Sequence, residues 1–208
     1  MMASSVQAEN LFVADNGSDD IYEFTPAGAE SIFASGLDGP VGLAFNSAGV
    51  LFEADNFSGS IYEFTPGGVR STFASGLNGP VGLAFNSADV LFVSEPGPNS
   101  TSIIEITPGG VQSTFVSINN YDVDDLAFNY AGDLFATIAP APENYGYNGK
   151  IIEITPGGAV STFASGLDSP VGIAFQGETL PVPEPSVLGL LAVGATALLV
   201  RRRRNLAA

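Results

Sequence analysis

Short apolar runs alternate with turn sequences from residue 11 to residue 175. The unit Leu51–Val90, LFEADNFSGSIYEFTPGGVRSTFASGLNGPVGLAFNSADV, contains four such runs, LFEAD, IYEFT, STFAS and VGLAF. Each run has about five residues, is rich in β-branched and aromatic side chains and is bounded by turn residues, which is typical of a β-strand rather than a helix. Between the second and third runs, TPGG predicts a tight type II turn with a positive φ at the first glycine.

Near-copies of this unit fill the chain up to the last thirty or so residues. The phenylalanine that ends VGLAF recurs at intervals of about 40 residues or slightly more, at Phe45, Phe85, Phe128 and Phe175. A fixed period of this length is typical of repeat architectures, and four short strands per repeat are typical of a propeller blade. We therefore predict an all-β fold, a β-propeller of four repeats with four short antiparallel strands each.

The two ends of the repeat array predict how the ring closes. If each blade begins with its VGLAF strand, the first copy lacks that strand, whereas the fourth copy ends with an additional one, Val171–Phe175. We expect this additional strand to pair beside Leu11–Asp15 and to complete the first blade. Such closure would remove the open sheet edges that invite aggregation.

The chain divides into four predicted regions. Residues 1–10 form an N-terminal arm, which is either unstructured or the remnant of a signal peptide, because Val6 and Ala8 have the spacing of a signal peptidase site. The other three regions are the propeller repeats at 11–176, a proline-rich linker with a sorting motif at 177–186, and a transmembrane helix with an arginine cluster at 187–204.

The charge of the repeats excludes several functions. The chain has 6 basic and 22 acidic residues, and Arg70 and Lys150 are the only basic residues before Pro181. A surface of this sign repels phosphate backbones, so nucleic-acid binding is not expected. The chain contains no His and no Cys, which excludes disulfides, thiolate or imidazole metal sites and nucleophiles paired with histidine. No cofactor is expected.

The sequence GPVGLAFNSAGVLFEADNFSGSIYEFTPGG resembles the NHL-type repeat and the related gluconolactonase-like and strictosidine-synthase-like propellers. The resemblance covers Leu11 to Phe175. It implies a propeller, commonly of six blades, in a group that includes hydrolases, lyases and binding modules. In gluconolactonase-like members a divalent metal lies in the central channel on carboxylate and amide oxygens, which suit hard cations.

The acids that end the second strand of each repeat are the candidates for such a metal site. They are Asp15, Asp55 and Glu95, whereas the fourth copy has Ile138 at this position. Because Asp and Asn side chains also cap turns, a structural role is the simpler interpretation, and no metal is expected. A second acidic row, present in every copy, also predicts a solvated structural position: Glu23, Glu63, Glu105 and Glu153. The loop Ala139–Gly149 carries Tyr145 and Tyr147, which could stack on a sugar ring, although a flexible insertion is the alternative.

The C-terminal segment has its own pattern. Pro183, Glu184 and Pro185 precede fourteen apolar or small residues, 187–200, and then Arg201, Arg202, Arg203 and Arg204. Fourteen helical residues span about 21 Å, less than a typical hydrocarbon core of about 30 Å, but snorkelling arginines and local thinning can cover the difference. The arginines are expected to stop the helix on the cytoplasmic side and leave the repeats outside.

This segment resembles the PEP-CTERM sorting signal of bacterial proteins. The resemblance implies recognition by an exosortase, a membrane protease thought to cleave near Pro183–Pro185; a plain C-terminal anchor is the alternative. It also implies a membrane-anchored protein that is later displayed at the cell surface or released.

Two classes of function follow. The first is an exported, non-catalytic propeller whose acidic surface meets polysaccharide or protein. The second is a divergent lactonase-like hydrolase or lyase with a metal in its channel, which would require a non-repeated, unpaired acid or base. Repetition of the same acids favours the first.

Overall fold

The computed structural model describes residues 9–97, 100–140 and 149–175. These residues form fifteen β-strands in four antiparallel sheets, one for each repeat. The predicted fold class, an all-β propeller of four blades, is confirmed; the predicted helix at 187–204 lies outside the described residues.

The strands follow the chain order within every blade. Blade 1 consists of β1 (Leu11–Asp15), β2 (Asp20–Phe24) and β3 (Glu30–Ala34). Blade 2 consists of β4 (Pro40–Phe45), β5 (Leu51–Asp55), β6 (Ser60–Phe64) and β7 (Arg70–Ser75). Blade 3 consists of β8 (Leu83–Phe85), β9 (Leu91–Glu95), β10 (Ser100–Ile106) and β11 (Gln112–Asn119). Blade 4 consists of β12 (Tyr121–Phe128), β13 (Leu134–Pro140), β14 (Gly149–Ile154) and β15 (Val160–Leu167).

The pairing register of neighbouring strands is repeated from blade to blade. Phe45 lies opposite Leu51, Phe85 opposite Leu91 and Phe128 opposite Leu134, so the last three residues of the first strand have the same register in blades 2, 3 and 4. The last two strands of every blade carry a bulge at the same place, between Ile61 and Tyr62 in blade 2. A bulge increases local twist, so each blade twists at an equivalent point.

The TPGG turns differ from the prediction. In blade 2 the Gly68 amide donates to the Thr65 carbonyl at 2.8 Å, which makes Pro66 and Gly67 the central turn residues. The positive φ, 77°, belongs to Gly68 and not to Gly67. A type II turn requires positive φ at Gly67, so the predicted type II turn is wrong; a left-handed residue directly after the two central residues is common in hairpin connections. Ala27 is tolerated in the first copy because its position does not require positive φ.

Phenylalanine rings join consecutive blades. Phe52 on β5 contacts Phe73 of its own blade at a centroid distance of 4.9 Å and Phe85 of the next blade at 4.8 Å, both edge to face. The same pair of contacts is centred on Phe12, Phe92 and Phe135 in the other blades. Such edge-to-face contacts add about 0.5–1.5 kcal/mol beyond the buried area, so they contribute to the stability of each blade-to-blade interface.

The first strand of blade 2 lies very close to the residues that directly precede the first strand of blade 3. A Cβ atom built on Gly42 would lie 2.1 Å from the carbonyl oxygen of Val81. One on Gly82 would lie 3.1 Å from the carbonyl oxygen of Asp124 in the following blade. The glycine of GPVGLAF is therefore needed for this approach of one backbone to another.

The predicted closure is not what the structure contains. Among the described residues, β1 pairs with β2 alone, so blade 1 has three strands instead of four. Residues 171–175 form no strand; Phe175 packs on Phe135 of blade 4 instead, with the ring centroids 5.0 Å apart. The prediction of four strands in every blade is therefore wrong for the described part of blade 1, and the segment at 171–175 stays with the blade that precedes it in the chain.

Candidate functional site

The acids at the end of the second strands hold nearby loops. Asp55 is 1% exposed, and its carboxylate accepts hydrogen bonds from the backbone amides of Asp38 at 2.8 Å and Ser58 at 3.3 Å. Glu95 accepts from the amide of Asn78 at 2.8 Å. Each carboxylate thus fixes the loop that leads into the first strand of its own blade.

Asp15 accepts a hydrogen bond from the amide of Gly17 at 2.9 Å, in the turn that follows its strand. Across the described ranges, no three Asp or Glu side chains are grouped closely enough to hold a metal ion. Asp15, Asp55 and Glu95 are therefore not brought together, and the hydrogen bonds agree with their interpretation as turn acceptors.

The second acidic row also has a repeated structural contact. Ser71 donates to Glu63 at 2.8 Å, and Ser113 donates to Glu105 at 2.8 Å, in both cases between neighbouring strands and on the exposed side. Cross-strand pairs of this kind stabilise a sheet by a few tenths of a kcal/mol up to about 1 kcal/mol.

Glu53 is the acid that breaks the repeat pattern. It lies in the middle of β5, where the other copies have Val13, Val93 and Ala136. Its side chain is 0% exposed, and neither carboxyl oxygen has a hydrogen-bond partner within the described part of the chain. Glu53 does not belong to either repeated row of acids, and its only signal in the sequence is the departure from valine or alanine at an apolar position.

The surroundings of Glu53 are the interface between blades 1 and 2. Side chains alternate along a strand, so Glu53 shares a face with Leu51, which packs in one cluster with Ile21 and Leu37 of the preceding repeat. Its cross-strand neighbours are Leu43 and Tyr62, which border the same cluster. The Glu53 side chain is therefore buried beside an apolar cluster.

This environment changes the acidity of the group. Burial is the main cause that raises the pKa of Glu53 to about 8; the Asp55 carboxylate adds to the effect, and the Arg70 guanidinium opposes it. Glu53 is thus mostly protonated at neutral pH. Acid–base catalysis needs a group within hydrogen-bond reach of the substrate, and the Glu53 side chain is 0% exposed in this structure.

The first strand of blade 4 carries a second departure from the pattern. Asp125 stands at the position of Gly42 and Gly82, and its carboxylate accepts hydrogen bonds from the amides of Leu126 at 2.9 Å and Ile173 at 3.0 Å. It therefore holds the segment at 171–175 against blade 4. Burial, together with the carboxylates of Asp122 and Asp125, raises the pKa of the neighbouring Asp124.

One edge of blade 4 carries a lysine–tyrosine contact. The Lys150 ammonium donates to the Tyr121 hydroxyl at 2.8 Å and lies 4.8 Å from the centroid of the same ring. The two tyrosines proposed for sugar stacking, Tyr145 and Tyr147, lie outside the described residues.

The predicted sorting motif, Pro183 to Pro185, and the arginines at 201–204 also lie outside the described residues. In the part of the chain that the structure does describe, no helix has the length and apolar character needed to cross a membrane. Residues 181–204 match the family model of the PEP-CTERM protein-sorting motif. The chain carries a PEP-CTERM signal. This finding supports export and membrane-associated sorting.

Solved structures show what the blades are similar to. Virginiamycin B lyase from Staphylococcus aureus matches with a TM-score of 0.61 and 17% identity, over 80% of this chain and 56% of the lyase. A putative gluconolactonase matches with a TM-score of 0.59 and 18% identity, over 78% of this chain and 61% of that one. A chain of the nidogen/laminin complex matches with a TM-score of 0.71 and 16% identity, over 82% and 66%.

At these identities the similarity shows the propeller fold alone. The chain spans less than two thirds of the length of each of these three proteins. No curated protein matches the sequence.

Proposed function

We propose that this protein is an exported propeller that is sorted to the cell surface through its PEP-CTERM signal and acts there as a non-catalytic binding or structural module. The observation that carries the proposal is the sorting motif at 181–204 directly after the repeats. Because the motif lies in the C-terminal tail, we assign sorting to the tail and the binding or structural role to the blades.

The tail has the chemistry that the sorting step requires. Prolines on both sides of Glu184 deny the linker regular hydrogen bonding and favour an extended conformation, which suits a protease substrate. The apolar residues 187–200 insert into the membrane as a helix, and the arginines at 201–204 stay on the cytoplasmic side because charged side chains are costly in the hydrocarbon core. An exosortase-type membrane protease is the proposed partner.

The described blades support a non-catalytic role. The non-repeated acid Glu53 is 0% exposed, and the buried Asp55 accepts hydrogen bonds from backbone amides. The repeats have a net acidic surface, which is suited to polysaccharide-bound cations or to a basic protein partner.

The sorting step is tested in a host that contains the protease. The surface-exposed protein is expected to end close to Pro185 when its C-terminus is determined by mass spectrometry. Glu184→Ala should leave the tail uncut, whereas Glu178→Ala, an acid just upstream of the matched segment, should not. An intact tail in the unchanged protein, or normal sorting of the Glu184→Ala variant, would reduce the segment to an ordinary anchor.

The role of the blades is tested separately on the purified protein. We expect no hydrolysis of lactones and no stoichiometric calcium site by calorimetry. One calcium per chain, lost in Asp55→Ala, would instead support the lactonase-like alternative and would leave the sorting proposal untouched.

A further inference from the structure

The segment at 171–175 is held in the position of a first blade strand. Phe175 meets Phe135 at 5.0 Å and an interplanar angle of 73°, and Phe128 of β12 meets Phe92 of the preceding blade at 5.0 Å and 71°. The hydroxyl of Thr137 donates to the carbonyl of Val171 at 2.9 Å. Blade 4 thus presents this segment as the opening strand of a further blade. Within the described ranges it has no strand to pair with.

Blade 1 has the complementary gap. In the described ranges, β1 has no partner on the side where β5, β9 and β13 pair with the first strand of their blade. Leu11 is 63% exposed and Val13 39% exposed, whereas Leu91 and Val93 at the same positions of blade 3 are 0% exposed. The uncovered face of blade 1 is therefore the same surface that is buried between the inner blades.

Blades 2, 3 and 4 show the register in which the segment at 171–175 would pair with β1. In blade 3, Leu83 lies opposite Val93 and Phe85 lies opposite Leu91. By their places in the repeat, Ile173 and Phe175 correspond to Leu83 and Phe85, and Val13 and Leu11 correspond to Val93 and Leu91. The transferred pairs are apolar on both sides.

We propose that the partner of this surface is a second copy of the chain, which adds its residues 171–175 as the first strand beside β1. The contact is head to tail and continues the blade-to-blade interface that each chain already contains three times. Two copies together would contribute eight blades, which is within the usual range for propellers. Head-to-tail contacts form rings when the rotation between copies closes. The inference does not depend on the proposed sorting.

The charge of the chain predicts how this association responds to salt. Each copy has a formal net charge of −16, so two copies repel each other. The contact itself consists of backbone hydrogen bonds and apolar side chains. Because salt screens the repulsion between exposed charges, the dimer fraction should rise with ionic strength.

Site-directed cross-linking tests the contact directly, since the chain has no cysteine of its own. Full-length Val13→Cys and Ile173→Cys variants, purified in detergent and mixed under oxidising conditions, should form a disulfide-linked dimer. Directly opposed residues of antiparallel strands have Cα atoms about 4.5–5.5 Å apart, which fits a disulfide. Mixing Ile32→Cys, an exposed position on β3, with Ile173→Cys is the matched control and should give no more than background cross-linking.

A chain that carries both Val13→Cys and Ile173→Cys shows whether the strand beside β1 comes from the same chain or from a second copy. Cross-links between chains support the proposal; a disulfide within one chain would mean closure by the chain's own end and would overturn it. The unchanged chain provides a second measurement. Sedimentation in detergent should show a dimer whose dissociation constant rises at least tenfold in Ile173→Asp, and a chain that stays monomeric at all concentrations and salt levels would also overturn the proposal.

Discussion

Replacing the buried carboxyl of Glu53 should make the fold more stable and less sensitive to alkaline pH. The pKa of about 8 in the folded protein compares with 4.5 for the free group. A native state that binds the proton more tightly than the unfolded state loses stability as pH rises between the two pKa values. The stability contributed by protonated Glu53 is therefore present below pH 4.5 and is lost progressively up to about pH 8.

The size of this loss follows from the two pKa values. A tenfold change in proton affinity corresponds to about 1.4 kcal/mol, so the loss between pH 5 and pH 8 is about 3.5 kcal/mol at most. Even the protonated carboxyl is buried without a partner, which costs a further 1–3 kcal/mol or so. Glu53→Leu removes both contributions, while Glu53→Gln removes only the first.

Urea unfolding at pH 5, 6, 7 and 8, followed by circular dichroism, measures the effect. The difference in unfolding free energy between Glu53→Leu and the unchanged protein should grow by about 3 kcal/mol from pH 5 to pH 8. Glu63→Leu controls for the loss of a carboxylate from the neighbouring strand, because Glu63 is hydrogen-bonded to Ser71 on the exposed side. A difference that is constant over this pH range, or a Glu53→Leu protein that is less stable at pH 8, would refute the reasoning.

Two further substitutions test the packing of the blades. Gly42→Ala places a methyl group against the carbonyl of Val81 and should lower the unfolding free energy by about 1–3 kcal/mol. In the control Gly67→Ala the new Cβ would meet nothing nearer than 3.9 Å, so the unfolding free energy should change by less than about 0.5 kcal/mol. Equal effects of the two substitutions in thermal unfolding would contradict the close approach at Gly42. Asp55→Asn presents an amide group to the backbone amide of Asp38 and should cost about 1–3 kcal/mol; an unchanged midpoint in urea would show that the loop does not depend on this carboxylate.

Repetition explains what could be predicted from the sequence. The strands, their order and the blade count follow from the alternation of apolar runs and turns, because each copy supplies independent evidence for the same pattern. The role of Glu63 as a structural acceptor was expected for the same reason, since a residue repeated in every blade is suited to a local contact that every blade makes. The role of Asp55 was expected because Asp side chains cap turns.

The features that were missed depend on contacts between blades. Whether Val171–Phe175 reaches β1 depends on the angle between neighbouring blades, which is set by packing such as that around Gly42 and not by the number of strands. Glu53 was overlooked because its importance comes from its apolar neighbours in the preceding repeat. In the TPGG turn either glycine can adopt positive φ, and only Ala27 in the first copy indicated that the second glycine does so.

The phenylalanine contacts between blades have a consequence for how such chains evolve. Blades 2 and 3 each provide one ring that is contacted by the next blade and one ring that contacts the previous blade, as Phe52 and Phe45 do in blade 2. A duplication or deletion of one whole repeat therefore restores both contacts at the junction. Gene rearrangements that preserve the repeat length can change the number of blades without creating a new interface, so blade number can vary between related proteins while each interface stays the same.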